Sequence, residues 1–156
     1  MRIYLRPEIQ KRLVFALKKA GSREIGGILM GEYLKEGEFQ IIDLTIQKQS
    51  GSHAFFFRLV ASAIAPLNRF FKRTGNNYQK FNYIGEWHSH PSFPLIPSSK
   101  DIQSMFDIVS DAEVGANFVI LLIVRLNDAQ FLEATATVFL PDQTYFQCEI
   151  LKDCAI

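Results

Sequence analysis

The most informative part of this chain is residues 85–101, which read GEWHSHPSFPLIPSSKD. The character of this segment changes twice. It is strand-like as far as His90, irregular through the three prolines of residues 91–97, and helical from Ser98 onward. Alternate side chains of a strand point to the same face, so His88 and His90 share a face and are separated by ~6.6 Å along the backbone.

Two imidazoles in this arrangement can bind one zinc ion, at ~2.0 to 2.1 Å each. The proline-rich segment turns the chain, and the first turn of the helix then presents Asp101 as a third ligand. Three protein ligands leave a fourth position for water, which is typical of catalytic zinc sites. Zinc lowers the pKa of that water to about 7, so the pattern predicts a hydrolytic centre.

Each of these features also has an interpretation without a metal. A His-x-His pair alone is a weak signal. Ser98 and Asp101 have the S-x-x-D spacing of a helix N-terminal cap, and a carboxylate in a first turn is favourable because of the helix dipole. Taken singly, capping explains both residues. Only the complete pattern, H-x-H, seven residues, Ser, two residues and Asp, is specific for a metal site.

The hydrophobic pattern on either side predicts a mixture of strands and helices. Pro66 lies inside the second helix and predicts either a kink or the start of another helix. Residues 48–53 are predicted to form a loop. The predicted strands are residues 2–5, 24–34, 39–47, 81–90, 117–125, 131–140 and 144–150, and the predicted helices are residues 7–20, 58–73 and 98–109.

This order of elements predicts an α+β (mixed α/β) fold, with helices packed on a mixed sheet. No repeat, low-complexity segment or linker divides the chain. Its 156 residues suit one domain, 1–156, with one core. Apolar residues make up 48% of the chain, which is enough to fill that core without disulfides.

Charge and hydropathy exclude several classes of function. With 17 basic and 16 acidic residues interspersed, the chain lacks the basic excess of a nucleic-acid-binding protein. No apolar run reaches the ~18 to 20 residues of a membrane span, and the N-terminus has no signal-peptide pattern. Cys148 and Cys154 fit no zinc-ligand spacing and are predicted to be reduced thiols, with a disulfide between them as the alternative. We therefore expect a cytoplasmic protein.

His88-Ser89-His90, the seven residues 91–97, Ser98 and Asp101 together resemble the signature of the JAMM metallopeptidases, the catalytic members of the MPN domain superfamily. The upstream segment Glu24-Ile25-Gly26-Gly27-Ile28-Leu29-Met30-Gly31 is similar to the family's glutamate followed by a small-residue strand. The resemblance covers most of the chain and lacks no signature position. It implies an MPN-type, cytidine-deaminase-like mixed sheet flanked by helices.

The resemblance also implies a role for each matching residue. His88, His90 and Asp101 would bind Zn²⁺. Glu24 would act as general acid/base, taking a proton from the attacking water and returning it to the leaving amine. Ser98 would donate a hydrogen bond to the oxyanion of the tetrahedral intermediate. Scaffold members of the superfamily have lost zinc ligands, whereas this sequence retains them, so we expect an enzyme.

Glu86 leaves an alternative open. It precedes His88 by two residues and is predicted to share the face of both histidines. It is a candidate fourth ligand, a hydrogen-bond partner for an imidazole, a rival to Glu24 as the base, or a charged residue at the sheet rim paired with Arg or Lys. Trp87 is predicted to lie in the core, and His53 in a surface loop.

The resemblance implies a peptidase or isopeptidase that cleaves after the C-terminal tail of a ubiquitin-like protein, with that tail bound in extended form. The compact length is similar to that of small prokaryotic JAB-type members. Some of these process sulfur-carrier proteins, and others act beside E1- and E2-like enzymes in anti-phage operons. The stretches 24–31 and 85–91 are most similar to the second group. A non-catalytic MPN interaction module is the alternative. A zinc deaminase would have H-x-E and P-C-x-x-C motifs, which this chain lacks.

Overall fold

The structure is a computed structural model and describes residues 1–48 and 55–152. The predicted loop at residues 48–53, with His53, falls almost wholly outside the described residues, as does Cys154. The elements are β1 (Arg2–Leu5), α1 (Pro7–Ala20), β2 (Ile25–Lys35), β3 (Glu38–Leu44), β4 (Gln47–Lys48), α2 (Phe55–Arg73), β5 (Phe81–Ser89), α3 (Ser99–Ser110), β6 (Val119–Leu126), β7 (Leu132–Phe139) and β8 (Tyr145–Lys152).

The predicted strands and helices are found within a few residues of their predicted bounds, with two differences. The third predicted strand is divided into β3 and the two-residue β4, and α2 begins three residues earlier than predicted. Of the two outcomes predicted at Pro66, a second helix is wrong. One helix continues through Pro66, although proline has no N–H for the helical hydrogen bond.

The strands form a mixed sheet that closes on itself, which confirms the α+β class. The pairing order is β3-β1-β8-β7-β6-β5-β2-β4, and β3 pairs in addition with β2. Strand β3 therefore contacts β1 on one side, in parallel, and β2 on the other, antiparallel. Seven strands make a ring, so most of the sheet has no free edge.

Helix α1 fills the inner side of this ring. It packs against β3 on one side of the ring and against the neighbouring strands β6 and β7 on the other. Its apolar stripe at helical spacing joins the inward residues of the strands in one core. The buried stripe consists of Ile9, Leu13, Ala16, Leu17 and Ala20.

Helices α2 and α3 pack on the outer face of the sheet. Helix α3 buries Met105 and Ile108 against Leu121 of β6, and α2 buries Phe70 against Ile28 of β2. Strand β5 lies between β2 and β6 and thus runs between the two helices. The predicted site residues of β5 can therefore contact α3 only if their side chains lie on the outer face of the sheet.

A bulge in β5 decides which residues face outward. The pairing with β2 shifts between Leu29 opposite Gly85 and Met30 opposite Tyr83, which leaves Ile84 as an extra residue. Gly85 has φ of 141°, and a Cβ there would lie 2.0 Å from the carbonyl oxygen of Ile120. Only glycine fits this approach of β6. Beyond the bulge, Trp87 faces the inner core and His88 the outer face.

Candidate metal centre

The two histidines stand at the carboxyl end of β5, where it runs parallel to β6. His88 is opposite Gly26 of β2 and Ile123 of β6, and the His90 N–H continues the ladder by donating to Val124 O at 3.0 Å. Carboxyl ends of parallel strands are the usual position of ligand sites in α/β sheets. The side chain of His88 is only 14% exposed to solvent.

The imidazoles converge as the strand alternation predicts. His88 Nε2 and His90 Nε2 are 2.9 Å apart, and His88 Nε2 lies 3.8 Å from Asp101 Oδ1. One ligand atom from each of the three residues falls within 4.8 Å of the other two. Two nitrogens bound to one tetrahedral zinc are separated by roughly 3.3 Å, so an ion requires only a small parting of the rings. Among residues 1–48 and 55–152, this is the one such group of metal-ligating side chains.

Asp101 belongs to both the helix cap and the ligand group. Its Oδ2 accepts hydrogen bonds from the Ser98 hydroxyl at 2.6 Å and from the Ser98 N–H at 2.8 Å. In return, the Asp101 N–H donates to Ser98 Oγ at 3.2 Å, which completes a capping box. Its other oxygen, Oδ1, points toward His88. Capping and metal binding, which the sequence left as alternatives, would therefore use different oxygens of one carboxylate.

The proline-rich segment holds His90 in one tautomer. His90 Nδ1 lies 2.7 Å from the carbonyl oxygen of Pro94. A carbonyl only accepts, so Nδ1 must carry the proton, and Nε2 is left with a lone pair directed at His88 and Asp101. Metal-binding histidines are typically oriented by such a bond from the second ring nitrogen. This partner could not be predicted from the sequence, because a backbone carbonyl has no residue-type signal.

The surroundings of His88 favour its neutral form. Burial lowers its pKa to about 4, and the neighbouring His90 acts in the same direction, whereas the Asp101 carboxylate opposes both. A neutral imidazole has the lone pair that metal binding requires. The donor set of two imidazoles and one carboxylate fits Zn²⁺, which accepts both nitrogen and oxygen ligands.

Glu24 lies just before β2, beside the strand that carries the histidines. The next residue, Ile25, donates its N–H to the Ser89 hydroxyl at 2.9 Å, and Gly26 is opposite His88. Continuing this antiparallel register places Glu24 opposite His90, on the same face as both histidines. Glu24 is exposed and does not belong to the ligand group of the described residues. Its position suits a proton-transfer residue that reaches toward the site.

Glu86 occupies the outer face of β5 two residues before His88. It lies between Ile28 of β2 and Leu121 of β6 in the register, and its burial there raises its pKa to about 7. Its carboxyl group makes no hydrogen bond or ion pair with a described side chain. Burial of the carboxyl group shows that the predicted rim position is wrong, whereas pairing of Glu86 with an Arg or Lys stays a prediction. Glu86 is also not in the ligand group and bonds neither imidazole, within the part of the chain that is described.

The other predicted residues lie where their patterns indicated or outside the described part. Trp87 is 1% exposed, as predicted for a core residue, and its indole N–H donates to Thr45 O at 2.8 Å. Gly27, opposite Trp87, makes room for this contact, because a Cβ there would lie 2.1 Å from Thr45 O. Cys148 is a buried free thiol.

This fold and this group of residues define a JAB/MPN-type domain. Residues 7–136 match the family model of prokaryotic homologs of the JAB domain, and the chain belongs to that family. It is 28% identical over 130 residues to a CD-NTase/cGAS isopeptidase of Enterobacter hormaechei subsp. hoffmannii (strain UCI 50), a match that covers 82% of this chain and 69% of that protein. The family resemblance found in the sequence is thereby confirmed.

Solved structures share the fold. A protein from Desulfitobacterium hafniense superposes with a TM-score of 0.66 at 18% identity, covering 99% of this chain and 94% of that one. A protein from Salinibacter ruber gives 0.56 at 20% identity, covering 96% and 91%. A JAB1/MPN domain protein from Archaeoglobus fulgidus gives 0.50 at 14% identity, covering 96% and 98%.

Within the described residues, no helix has both the length and the apolar character needed to cross a membrane.

Proposed function

We propose that this chain is a zinc-dependent isopeptidase that cleaves the bond following the C-terminal tail of a ubiquitin-like protein. The observation that carries the proposal is the convergence of His88, His90 and Asp101, whose ligand atoms lie within 4.8 Å of one another. The similarity to a protein named as an isopeptidase supports the same class of reaction. In this proposal, His88 Nε2, His90 Nε2 and Asp101 Oδ1 hold the ion.

Zinc, when bound, would polarise the scissile carbonyl and make water more acidic. The remaining chemistry belongs to the chain. Glu24 removes a proton from the attacking water and delivers it to the leaving amine, a role that suits an exposed carboxylate outside the ligand group. A lysine side-chain amine is a poor leaving group until it is protonated, so the same carboxyl group serves both halves of the reaction.

Ser98 is proposed to stabilise the oxyanion. Its hydroxyl hydrogen is donated to Asp101 Oδ2 at 2.6 Å, so it must turn to reach a substrate oxygen. The Ser98 N–H, at 2.8 Å from the same Oδ2, keeps Asp101 in place during that movement. The hydroxyl can therefore change partners without releasing the carboxylate from the helix cap.

The substrate is proposed from the similarity and not from any single pocket residue. The relative's name connects it with CD-NTase/cGAS proteins, so we propose a CD-NTase-type acceptor joined through a lysine to a ubiquitin-like modifier. E1- and E2-like enzymes encoded in the same anti-phage operon would make this conjugate. The bond cleaved is the amide between the modifier's C-terminal carbonyl and the lysine Nζ, with water supplying the hydroxyl and the proton.

The test is cleavage of a defined isopeptide. A ubiquitin-like protein joined through its C-terminal glycine to a lysine peptide is incubated with zinc-loaded wild-type protein and with Glu24→Gln. We expect the wild type to release intact modifier, as shown by mass spectrometry, and Glu24→Gln to retain the conjugate uncleaved. The proposal would be contradicted if the zinc-loaded wild type cleaved none of a panel of bacterial ubiquitin-like conjugates and the Glu24→Gln variant bound none of them.

A further inference from the structure

The proline-rich segment at residues 91–97 presents three consecutive carbonyl oxygens to three different donors. Phe93 O accepts from Arg125 Nη1 at 3.5 Å, Pro94 O from His90 Nδ1 at 2.7 Å, and Leu95 O from Thr135 Oγ1 at 2.6 Å. The middle carbonyl orients a proposed metal ligand. The two outer carbonyls are held by side chains of β6 and β7, which belong to the rigid sheet.

The sheet register explains why these side chains reach the segment. His88 is opposite Ile123 of β6, and Ile123 is opposite Thr135 of β7. The three residues therefore form one row across the outer face, with Thr135 roughly 10 Å from His88 at about 4.8 Å per strand. The segment leaves β5 at His90, crosses β6 and reaches β7 above Thr135, before it returns to α3.

The segment has few other means of holding its shape. Its three prolines lack N–H groups, so its carbonyls are its main hydrogen-bonding groups. Phe93 and Ile96 are 59% and 66% exposed, and the contact of the Phe93 ring is an edge contact with the His90 imidazole, at 6.2 Å between centroids. Leu95 is the exception, because its side chain packs on the α3 side of the sheet. The Thr135 bond is the shorter of the two sheet anchors and adjoins Leu95.

We propose that Thr135 is a positioning residue for the metal centre, acting through Leu95 O to hold Pro94 O against His90 Nδ1. The proposal rests on the proposed metal site. Without the anchor, Pro94 O moves relative to the ring, and Nδ1–H no longer has a fixed acceptor. His90 then distributes its proton between both nitrogens, and the fraction with a lone pair on Nε2 falls. Arg125 supports the same segment from β6, at longer distance and while paired with Glu133 at 2.7 Å.

The test uses Thr135→Val, which removes the hydroxyl at nearly constant volume. The matched control is Thr137→Val, because Thr137 lies two residues further on the same face of β7 and, unlike Thr135, does not bond the segment. Thr135→Ser keeps the hydroxyl and should restore wild-type behaviour. Should Thr135→Val fail to fold, Thr135→Ala removes the same donor with less crowding.

Two readouts are required. In metal-free protein with neutral histidines, ¹⁵N NMR of the His90 ring reports the tautomer. We expect mainly Nδ1–H in the wild type and Thr137→Val, and a mixture in Thr135→Val. Competition with a chromophoric chelator reports the zinc Kd, which we expect to rise about tenfold in Thr135→Val, the lower end of the range for residues that orient ligands. Thr135→Ser should match the wild type in both.

The outcomes separate this inference from the proposed function. Unchanged His90 tautomer and unchanged zinc Kd in Thr135→Val would overturn the role of Thr135, while the wild-type zinc site stands. Equal losses of zinc affinity in Thr135→Val and Thr137→Val would also overturn it, because any disturbance of β7 would then be enough to weaken zinc binding. A wild type that takes up no zinc would contradict the proposed function, and the tautomer measurement would still decide the role of Thr135.

Discussion

Ser98 and Asp101 are joined by three hydrogen bonds that use only one oxygen of the carboxylate. Asp101 Oδ2 accepts from the Ser98 hydroxyl and N–H, the Asp101 N–H donates to Ser98 Oγ, and Oδ1 remains directed toward His88. The start of α3 and the proposed zinc site therefore depend on the same side chain. Substitutions that keep one oxygen and remove the other can separate the two roles.

Asp101→Asn should separate helix capping from metal binding. The asparagine oxygen can replace Oδ2 in the cap, while its NH₂ group, which has no lone pair for a metal, faces His88. We expect a loss of less than about 1 kcal/mol in the free energy of unfolding of the metal-free protein. Zinc affinity should fall at least 100-fold. Urea unfolding and a zinc titration measure the two effects, with Asp107→Asn, an exposed position of α3, as the control.

An Asp101→Asn protein that binds zinc as tightly as the wild type would show that Oδ1 is not a ligand. Conversely, a large decrease in the free energy of unfolding of the metal-free protein would show that the asparagine oxygen does not replace Asp101 Oδ2 in the helix cap.

Glu24→Gln should abolish cleavage and leave zinc binding intact. The amide cannot take up a proton from water, and Glu24 does not belong to the ligand group. We expect a decrease of at least about 100-fold in kcat, from the range typical of general acid/base catalysis, with about one zinc per chain retained. Glu86→Gln is the matched control and should cleave at a rate near that of the wild type. The assignment is wrong if Glu24→Gln is active and Glu86→Gln is not.

Glu86→Met should stabilise the metal-free protein. The Glu86 carboxyl group lies between Ile28 and Leu121, where burial raises its pKa to about 7, and it bonds no described side chain. An apolar side chain of similar length removes the cost of burying it, about 1 to 3 kcal/mol. Chemical denaturation near neutral pH measures the gain, and Glu86→Gln, which remains polar, should show none. A less stable Glu86→Met would mean that the carboxyl group has a partner with which it makes a favourable interaction.

Asp43 should make the stability of the fold depend on pH in the acid range. Burial raises the pKa of its carboxyl group, but hydrogen bonds from Arg12 of α1 and Arg73 of α2 outweigh burial, so the pKa lies below the ordinary 3.8. The unfolded chain therefore binds the proton more readily, and the stabilisation is present above 3.8 and is lost as the pH falls through the lowered pKa.

Asp43→Asn should accordingly reduce the free energy of unfolding by about 2 kcal/mol at neutral pH, as expected for hydrogen bonds to a charged group. The difference from the wild type should shrink as the pH is lowered below 3.8. Urea unfolding across this range tests the expectation. A difference that is constant with pH would mean that the charge of Asp43 is not involved.

Local patterns in the sequence predicted most of the fold, and long-range contacts account for the rest. The stripe from Ile9 to Ala20 predicted α1, and the alternation around His88 predicted the shared face of the histidines. The closure of the ring through β3 could not be predicted, because it joins β3 to β1 in parallel across the whole of α1 and β2. No local hydrophobic period reports such a pairing.

The candidate site likewise combines features that local patterns predict with features that depend on long-range contacts. Its ligand group follows from spacing, since His88, His90 and Asp101 lie within one strand, turn and helix. The burial of Glu86 depends on neighbours in β2 and β6, so the sequence left its role open among a ligand, an imidazole partner, the base and a rim residue. The anchor at Thr135 comes from a strand 40 residues beyond Leu95 and has no sequence motif.

The metal content of the purified protein tests the central claim most directly. Wild type and His88→Ala are prepared without chelator, exposed to excess zinc, freed of unbound metal and measured by atomic emission. The proposed site predicts about one zinc per wild-type chain and almost none in His88→Ala. Wild-type protein that retains no zinc, or His88→Ala that retains as much as the wild type, would contradict a catalytic metal at His88, His90 and Asp101.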